Sequence, residues 1–277
     1  MDINPSFTRW AGLAAVISAP VAVASVLLLF VPVAFNFEAY ADPAHMLSLD
    51  HPAVSAVRWG LLLDLLGYYL LLAPLAILTR DLIGDRHDGW ARLASWSGRS
   101  YVLIGAAGAA ALAVVYPGLA DAYSTASGTE QTAIEVVFAA LSDLVIEGLW
   151  NTLEVLLAAV WLLTLGVALR SRHRAVSRLA LAIGAATLLD TIGMFVGNET
   201  VATIGLNIYL VAAPIWALAM GLTLLRQPTN QDVSVSRTST SMPDTWPRYP
   251  TVVAVKRRAD AVSQATCSYE CADGGSR

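Results

Sequence analysis

The chain has 277 residues, of which 56% are hydrophobic and only 14% charged, with a formal net charge of -4. A water-soluble domain carries roughly a quarter charged residues, so this composition excludes an ordinary soluble globular domain. The mean hydropathy of +0.60 is concentrated in runs of about 20 residues, the length that crosses ~30 Å of hydrocarbon at ~1.5 Å per helical residue.

The composition predicts an all-α, polytopic membrane protein with six spans: Trp10 to Ala34, Trp59 to Leu78, Tyr101 to Leu119, Leu149 to Leu169, Leu179 to Val196 and Ile204 to Leu225. None of these runs alternates apolar and polar residues, which excludes barrel strands. The first run is expected to be a retained span. Its apolar stretch is too long for the core of a secretory signal, and Arg9 alone makes a thin basic flank.

The first connection, about Phe35 to Val57, contains `DPAHMLSLDHPAV`, with His45, His51 and two carboxylates. Their spacing matches no common zinc pattern, so solvated loop residues and no metal are expected. The second span reads `LLLDLLGYYLLLAPLAIL`, an apolar run broken by Asp64. A carboxylate inside a span costs about 3 kcal/mol even on the most lenient insertion scale, so it needs a partner, a bound proton or a wet cavity. Pro74 and Pro214 are candidate kinks in the second and sixth spans.

In the third span, `GAAGAAALAVV` places Gly105 and Gly108 where helices can approach closely. The fourth span has an upstream extension without proline from Glu130, so a helix is expected to start outside the bilayer, with Gly148 as a bend. At about 100° per residue, Asp143, Glu147, Trp150, Asn151, Glu154 and Trp161 share one face, which must point at protein or water. Asp190 interrupts the fifth span and Asn207 the sixth.

Helical rise puts these groups at one level. Asp64 and Glu154 each lie about 8 Å from the outer end of their spans, with Asp190 and Asn207 also in the outer half. The expectation is an acidic cavity lined by Asp64, Glu154, Asp190 and Asn207, with Glu147 and Asn151 at its mouth. Tyr68 and Trp150 would form its walls, and Arg58 would serve as counter-ion to Asp64 or Glu147. Tyr209 is the poorer candidate, because two residues of helix turn it about 200° from Asn207. The alternatives are that these groups only tie helices together, or that they hold an organic ligand or a catalytic acid.

Arginines cluster in the second connection (Arg80, Arg86, Arg92, Arg99), in the fourth (Arg170, Arg172, Arg174, Arg178) and after the last span. The other three connections carry Glu38, Asp42, Asp50, Asp121, Glu130 and Glu199, with Arg58 as their one basic residue. The positive-inside rule then places both termini in the cytoplasm, and with the basic residues explained by topology nucleic-acid binding has no support. Use of Arg over Lys points to a GC-rich genome and a bacterial plasma membrane. Residues 227–277 are rich in Ser, Thr and Pro and are expected to form a disordered cytoplasmic tail following a membrane domain of residues 1–226. Cys267 and Cys271 lie in that tail, where thiols stay reduced.

No G-x-S-x-G elbow or phosphate loop is present, and the four histidines all lie in connections. Hence no catalytic residue and no cofactor is assigned.

The segments `RWAGLAAVISAPVAV`, `AVRWGLLLDLLGYYLLLAPLAIL` and `AIGAATLLDTIGMF` together resemble a bacterial family of six-span membrane proteins, domain of unknown function 4386. The resemblance covers about Phe7 to Leu225 and matches at Arg58, Asp64 and Asp190. It does not extend to the acidic stripe of the fourth span or to the tail, and it implies topology without a mechanism.

The functional expectation is ion, proton or small-solute handling, with the lipid bilayer and a small solute or cation as partners and no protein partner assigned. A membrane sensor or scaffold acting through its loops and tail is the second class. An intramembrane carboxylate enzyme ranks last, since no nucleophile or metal set accompanies the acids.

Overall fold

A computed structural model describes residues 5–84 and 88–226. The tail with its cysteines, and Arg86 and His87 of the second connection, lie outside the described residues. The described residues form helices and turns only, with six helices long and apolar enough to cross a membrane.

The first span is α1 (Pro5–Phe30), closed by a 3-10 turn over Val31–Val33. The first connection then folds into α2 (Phe37–Ala41) and α3 (Pro43–Leu47). Asn36 caps α2 by accepting from the amides of Glu38 and Ala39. Asp42 accepts from Ala44 N at 3.0 Å to start α3, and Asp50 from Ala53 N at 2.9 Å to start α4 (His51–Asp64). Pro43 and Pro52 occupy the first turns, where their missing N–H costs nothing. Asp42 and Asp50 are therefore helix caps.

The second span is broken in its middle. After Asp64 the chain makes a π-helical segment, Leu65–Tyr69, and a 3-10 turn, Leu70–Leu72, before α5 (Ala73–Ile83) restarts. Pro74 lacks the N–H that a continuous helix would send back to Leu70, and Ala73 N bonds that carbonyl instead. α6 (Asp88–Thr125) is the third span. The fourth comprises α7 (Thr129–Ser142), a second π-helical segment over Asp143–Glu154, and α8 (Val155–Leu169). α9 (Arg174–Val196) and α10 (Glu199–Leu225) complete the bundle.

Each span packs on its neighbours in sequence, and α1 packs on α10, so the six close into a ring. Glycines allow the tightest approaches. A Cβ at Gly67 would lie 2.5 Å from the Ala22 amide nitrogen, and one at Gly221 would lie 2.6 Å from the Gly12 carbonyl oxygen. The outward faces carry exposed Leu13, Ile17, Leu103, Val114, Val211 and Ile215. Apolar area on that scale belongs in lipid. Trp10, Trp90 and Trp96 are exposed near the arginine-bearing end of the bundle, with Trp59 at the other, the placement favoured at a membrane boundary.

Candidate functional site

The middle of the ring is filled by aromatic side chains on small-residue seats. In α6, a Cβ at Gly105 would lie 1.9 Å from Tyr69 Cε1, one at Gly98 2.9 Å from the Trp161 ring, and one at Gly108 2.5 Å from Trp150 Nε1. Of these, Gly105 and Gly108 were expected to admit a neighbouring helix. They instead receive rings from the second and fourth spans. Tyr68, Tyr69, Tyr101, Tyr209, Trp161 and Trp216 form a continuous buried set, with successive ring centroids 5.5 to 6.5 Å apart.

Glu154 sits at the polar edge of this set and is 2% exposed. Tyr69 Oη donates to its Oε2 at 2.9 Å. Tyr209 Oη lies 3.5 Å from its Oε1, the outer limit of a hydrogen bond. Behind Tyr209 the Tyr101 hydroxyl is 2.6 Å away, and Tyr101 is also within 3.0 Å of the Tyr68 carbonyl oxygen. Tyr68 donates in turn to the Leu210 carbonyl at 2.8 Å. The second, third, fourth and sixth spans thus meet in one hydroxyl–carboxylate network. Glu154 ends one π-helical segment and Tyr69 ends the other.

Asp64 and Asp190 are also buried in the bundle, 9% and 1% exposed. Asp190 Oδ2 is buried without a hydrogen-bond partner. Its helix packs so closely on α10 that a Cβ at Gly205 would lie 2.7 Å from the Asp190 amide nitrogen. Among the described residues no group donates a hydrogen bond to the Asp64 carboxylate, and the ion pairs are confined to Asp88 with Arg80 and Arg92. One turn outward from Asp64, a cavity of about 20 Å³ lies between Tyr40, Leu61, Tyr116 and Phe138. That is room for about one water.

The remaining sequence-derived positions stand apart from this centre. Asn207 is exposed and donates to the Thr203 carbonyl of its own helix at 2.8 Å, while Tyr209 is the residue that faces inward. The 200° separation of the two was sound, but an apolar span gives no signal for which side is inside. Arg58 is exposed and forms no ion pair among the described residues. Six residues of helix place it about 240° from Asp64, which turns it away from that carboxylate, and no ion pair joins it to Glu147 among the described residues.

Glu147 is exposed, and the half-buried Asn151 donates to it at 3.4 Å. The π-helical segment explains why the expected acidic face divides. Bonds of i to i+5 type widen each turn, and Thr152 Oγ1 bonds the Glu147 carbonyl five residues back at 2.7 Å. Asp143 and Glu147 consequently face outward while Glu154 and Trp161 face inward. Gly148 lies within that segment. Trp150 is half-buried and donates from Nε1 to the Gly105 carbonyl at 3.3 Å.

Asn207→Leu is expected to change stability by less than about 1 kcal/mol, since its one bond is local and its surroundings are lipid. Equilibrium unfolding in detergent measures this. A larger loss would put Asn207 among the packed polar groups.

No protein-family profile, curated protein or solved structure matches the chain.

Proposed function

We propose that this multi-pass membrane protein resides in a bacterial plasma membrane with its arginine-bearing end in the cytoplasm, and that Glu154 with its tyrosines carries a proton during ion or small-solute movement. The observation that carries this reading is a buried Glu154 whose hydrogen-bonding partners are tyrosine hydroxyls, with no cation paired to it among the described residues.

Counting hydroxyl protons supports it. Tyr209 and Tyr101 have two protons for three acceptors: Glu154 Oε1, a tyrosine oxygen of the pair, and the Tyr68 carbonyl. With a proton on Glu154 Oε1, the chain runs Glu154 to Tyr209 to Tyr101 to the Tyr68 carbonyl, and every acceptor is served. Without it, the two hydroxyls turn toward Glu154 and the Tyr68 carbonyl loses its donor. Gain or loss of one proton thereby reverses the direction of a hydrogen-bond chain joining the second, third, fourth and sixth spans. π-helical segments, which recur at functional sites, lead into both Glu154 and Tyr69. Asp64, one turn from a water-sized cavity, and Asp190, with an unpartnered oxygen, are the further buried carboxylates that can accept a proton.

A structural tie is the competing reading. Its support is that Tyr68, Tyr101 and Tyr116 bond backbone carbonyls of other segments. Glu154→Gln separates the two, because Gln keeps the shape and an acceptor for Tyr69 but cannot exchange a proton. In proteoliposomes loaded with a pH-sensitive dye, the native protein is expected to dissipate an imposed pH gradient faster than empty vesicles. Glu154→Gln should lose that activity while unfolding at a similar temperature. Equal proton flux in the two proteins, or none in either with a lowered unfolding temperature in the variant, would leave Glu154 as a tie.

A further inference from the structure

A cavity of about 1140 Å³ lies at the arginine-bearing end between α8, α9 and the start of α6, far along the spans from Glu154. Arg170, Arg174 and Arg178 line it. Arg170 caps the end of α8, and Arg174 and Arg178, four residues apart, share one face of α9. Like charges at that spacing repel. Among the described residues none of the three is paired with a carboxylate, and the first turn of α9 contains no acidic residue. At the same end of the bundle Arg80 and Arg92 do have a shared partner, Asp88, at 3.1 and 2.6 Å. The described residues therefore gather three guanidinium groups around a cavity and pair no carboxylate with them.

Thr164, Ser171 and Ser177 also line the cavity, and the rest of its wall is apolar and continuous with the outer face of the bundle. Leu163, Val167 and Leu181 line it with Trp90, and Val167 and Trp90 are 66% and 62% exposed. A small soluble anion would use the arginines and leave this apolar wall without a function. A ligand with a phosphate at one end and hydrocarbon at the other uses both.

We propose that this cavity binds an anionic phospholipid, its phosphate held by the guanidinium forks of Arg170, Arg174 and Arg178 and an acyl chain lying along Leu163, Val167 and Leu181. Arginine suits this task because its planar fork meets phosphate oxygens two at a time. Basic pockets between helices at a membrane face are the setting in which such headgroups are recognised.

The test is native mass spectrometry of the full chain in mild detergent, titrated separately with phosphatidylglycerol, phosphatidylcholine and glycerol 3-phosphate. Phosphatidylglycerol should be retained in preference to phosphatidylcholine, and glycerol 3-phosphate should not bind. Replacing all three arginines by Gln should weaken phosphatidylglycerol retention on the order of a hundredfold. Val167→Trp, which keeps every charge and fills the apolar side, should also reduce it and decides the matter should the triple variant fail to fold. Equal retention of the two lipids, binding of glycerol 3-phosphate as strong as that of the lipid, or undiminished retention by Val167→Trp would overturn the proposal.

Discussion

Gly105→Ala is expected to destabilise the bundle by about 4 kcal/mol, the largest effect of any single methyl group added to this protein. The new Cβ would lie 1.9 Å from Tyr69 Cε1, so the ring must leave its seat. Overpacking a filled core costs roughly 1–3 kcal/mol on its own. The Tyr69 ring is also tethered at its far end to Glu154, and moving it strips a buried carboxyl of its shortest hydrogen bond, a further ~1–3 kcal/mol. A double-mutant cycle identifies the cause. Trimming the ring with Tyr69→Leu should recover part of the loss in the Gly105→Ala background, since the two changes act through one contact. Additive losses on equilibrium unfolding would show that Gly105 is required for some other reason.

The second large effect is expected at the hydroxyls. Tyr69→Phe should cost about 2 kcal/mol, because it removes the 2.9 Å donor to Glu154 Oε2 and leaves that atom with no replacement in the aromatic set. Tyr209→Phe should cost less. Its contact with Glu154 is 3.5 Å, and Tyr101, its other neighbour, still has the Tyr68 carbonyl as acceptor. Thermal unfolding of the purified variants gives the order. The reverse order would mean that Tyr209 is the main support of Glu154, and the proton chain described above would have to start from a different geometry.

The parts of this molecule that were legible in its sequence are those governed by composition over a long window. Six apolar runs give six spans because ~20 residues of hydrocarbon-compatible side chain have little alternative. Asp64, Glu154 and Asp190 stood out because an acid in such a run is costly wherever it points, and all three are buried in the bundle.

Orientation about the helix axis was less legible. Lipid and a membrane-protein core are both apolar, so periodicity does not reveal that Tyr209 faces in and Asn207 faces out. The two π-helical segments compound this. A stripe drawn at 3.6 residues per turn through Asp143, Glu147, Asn151 and Glu154 assumes a regularity that the chain abandons at Asp143. Asp42 followed by Pro43, and Asp50 followed by His51 and Pro52, have the cap-then-proline pattern of a helix start, and each does start one. Pro74 marked the place where the second span restarts. The glycines of α6 signalled close approach, but whether a backbone or an aromatic ring approaches is settled only by the partner helix.

The decisive measurement is infrared difference spectroscopy of the native protein and Glu154→Gln in lipid bilayers, recorded between acid and alkaline pH. A carboxylic-acid carbonyl band that changes intensity with pH in the native protein and is missing from Glu154→Gln is the predicted result. If no pH-dependent carboxyl band is lost on that substitution, while both proteins remain folded across the range, Glu154 does not exchange a proton and the functional account fails.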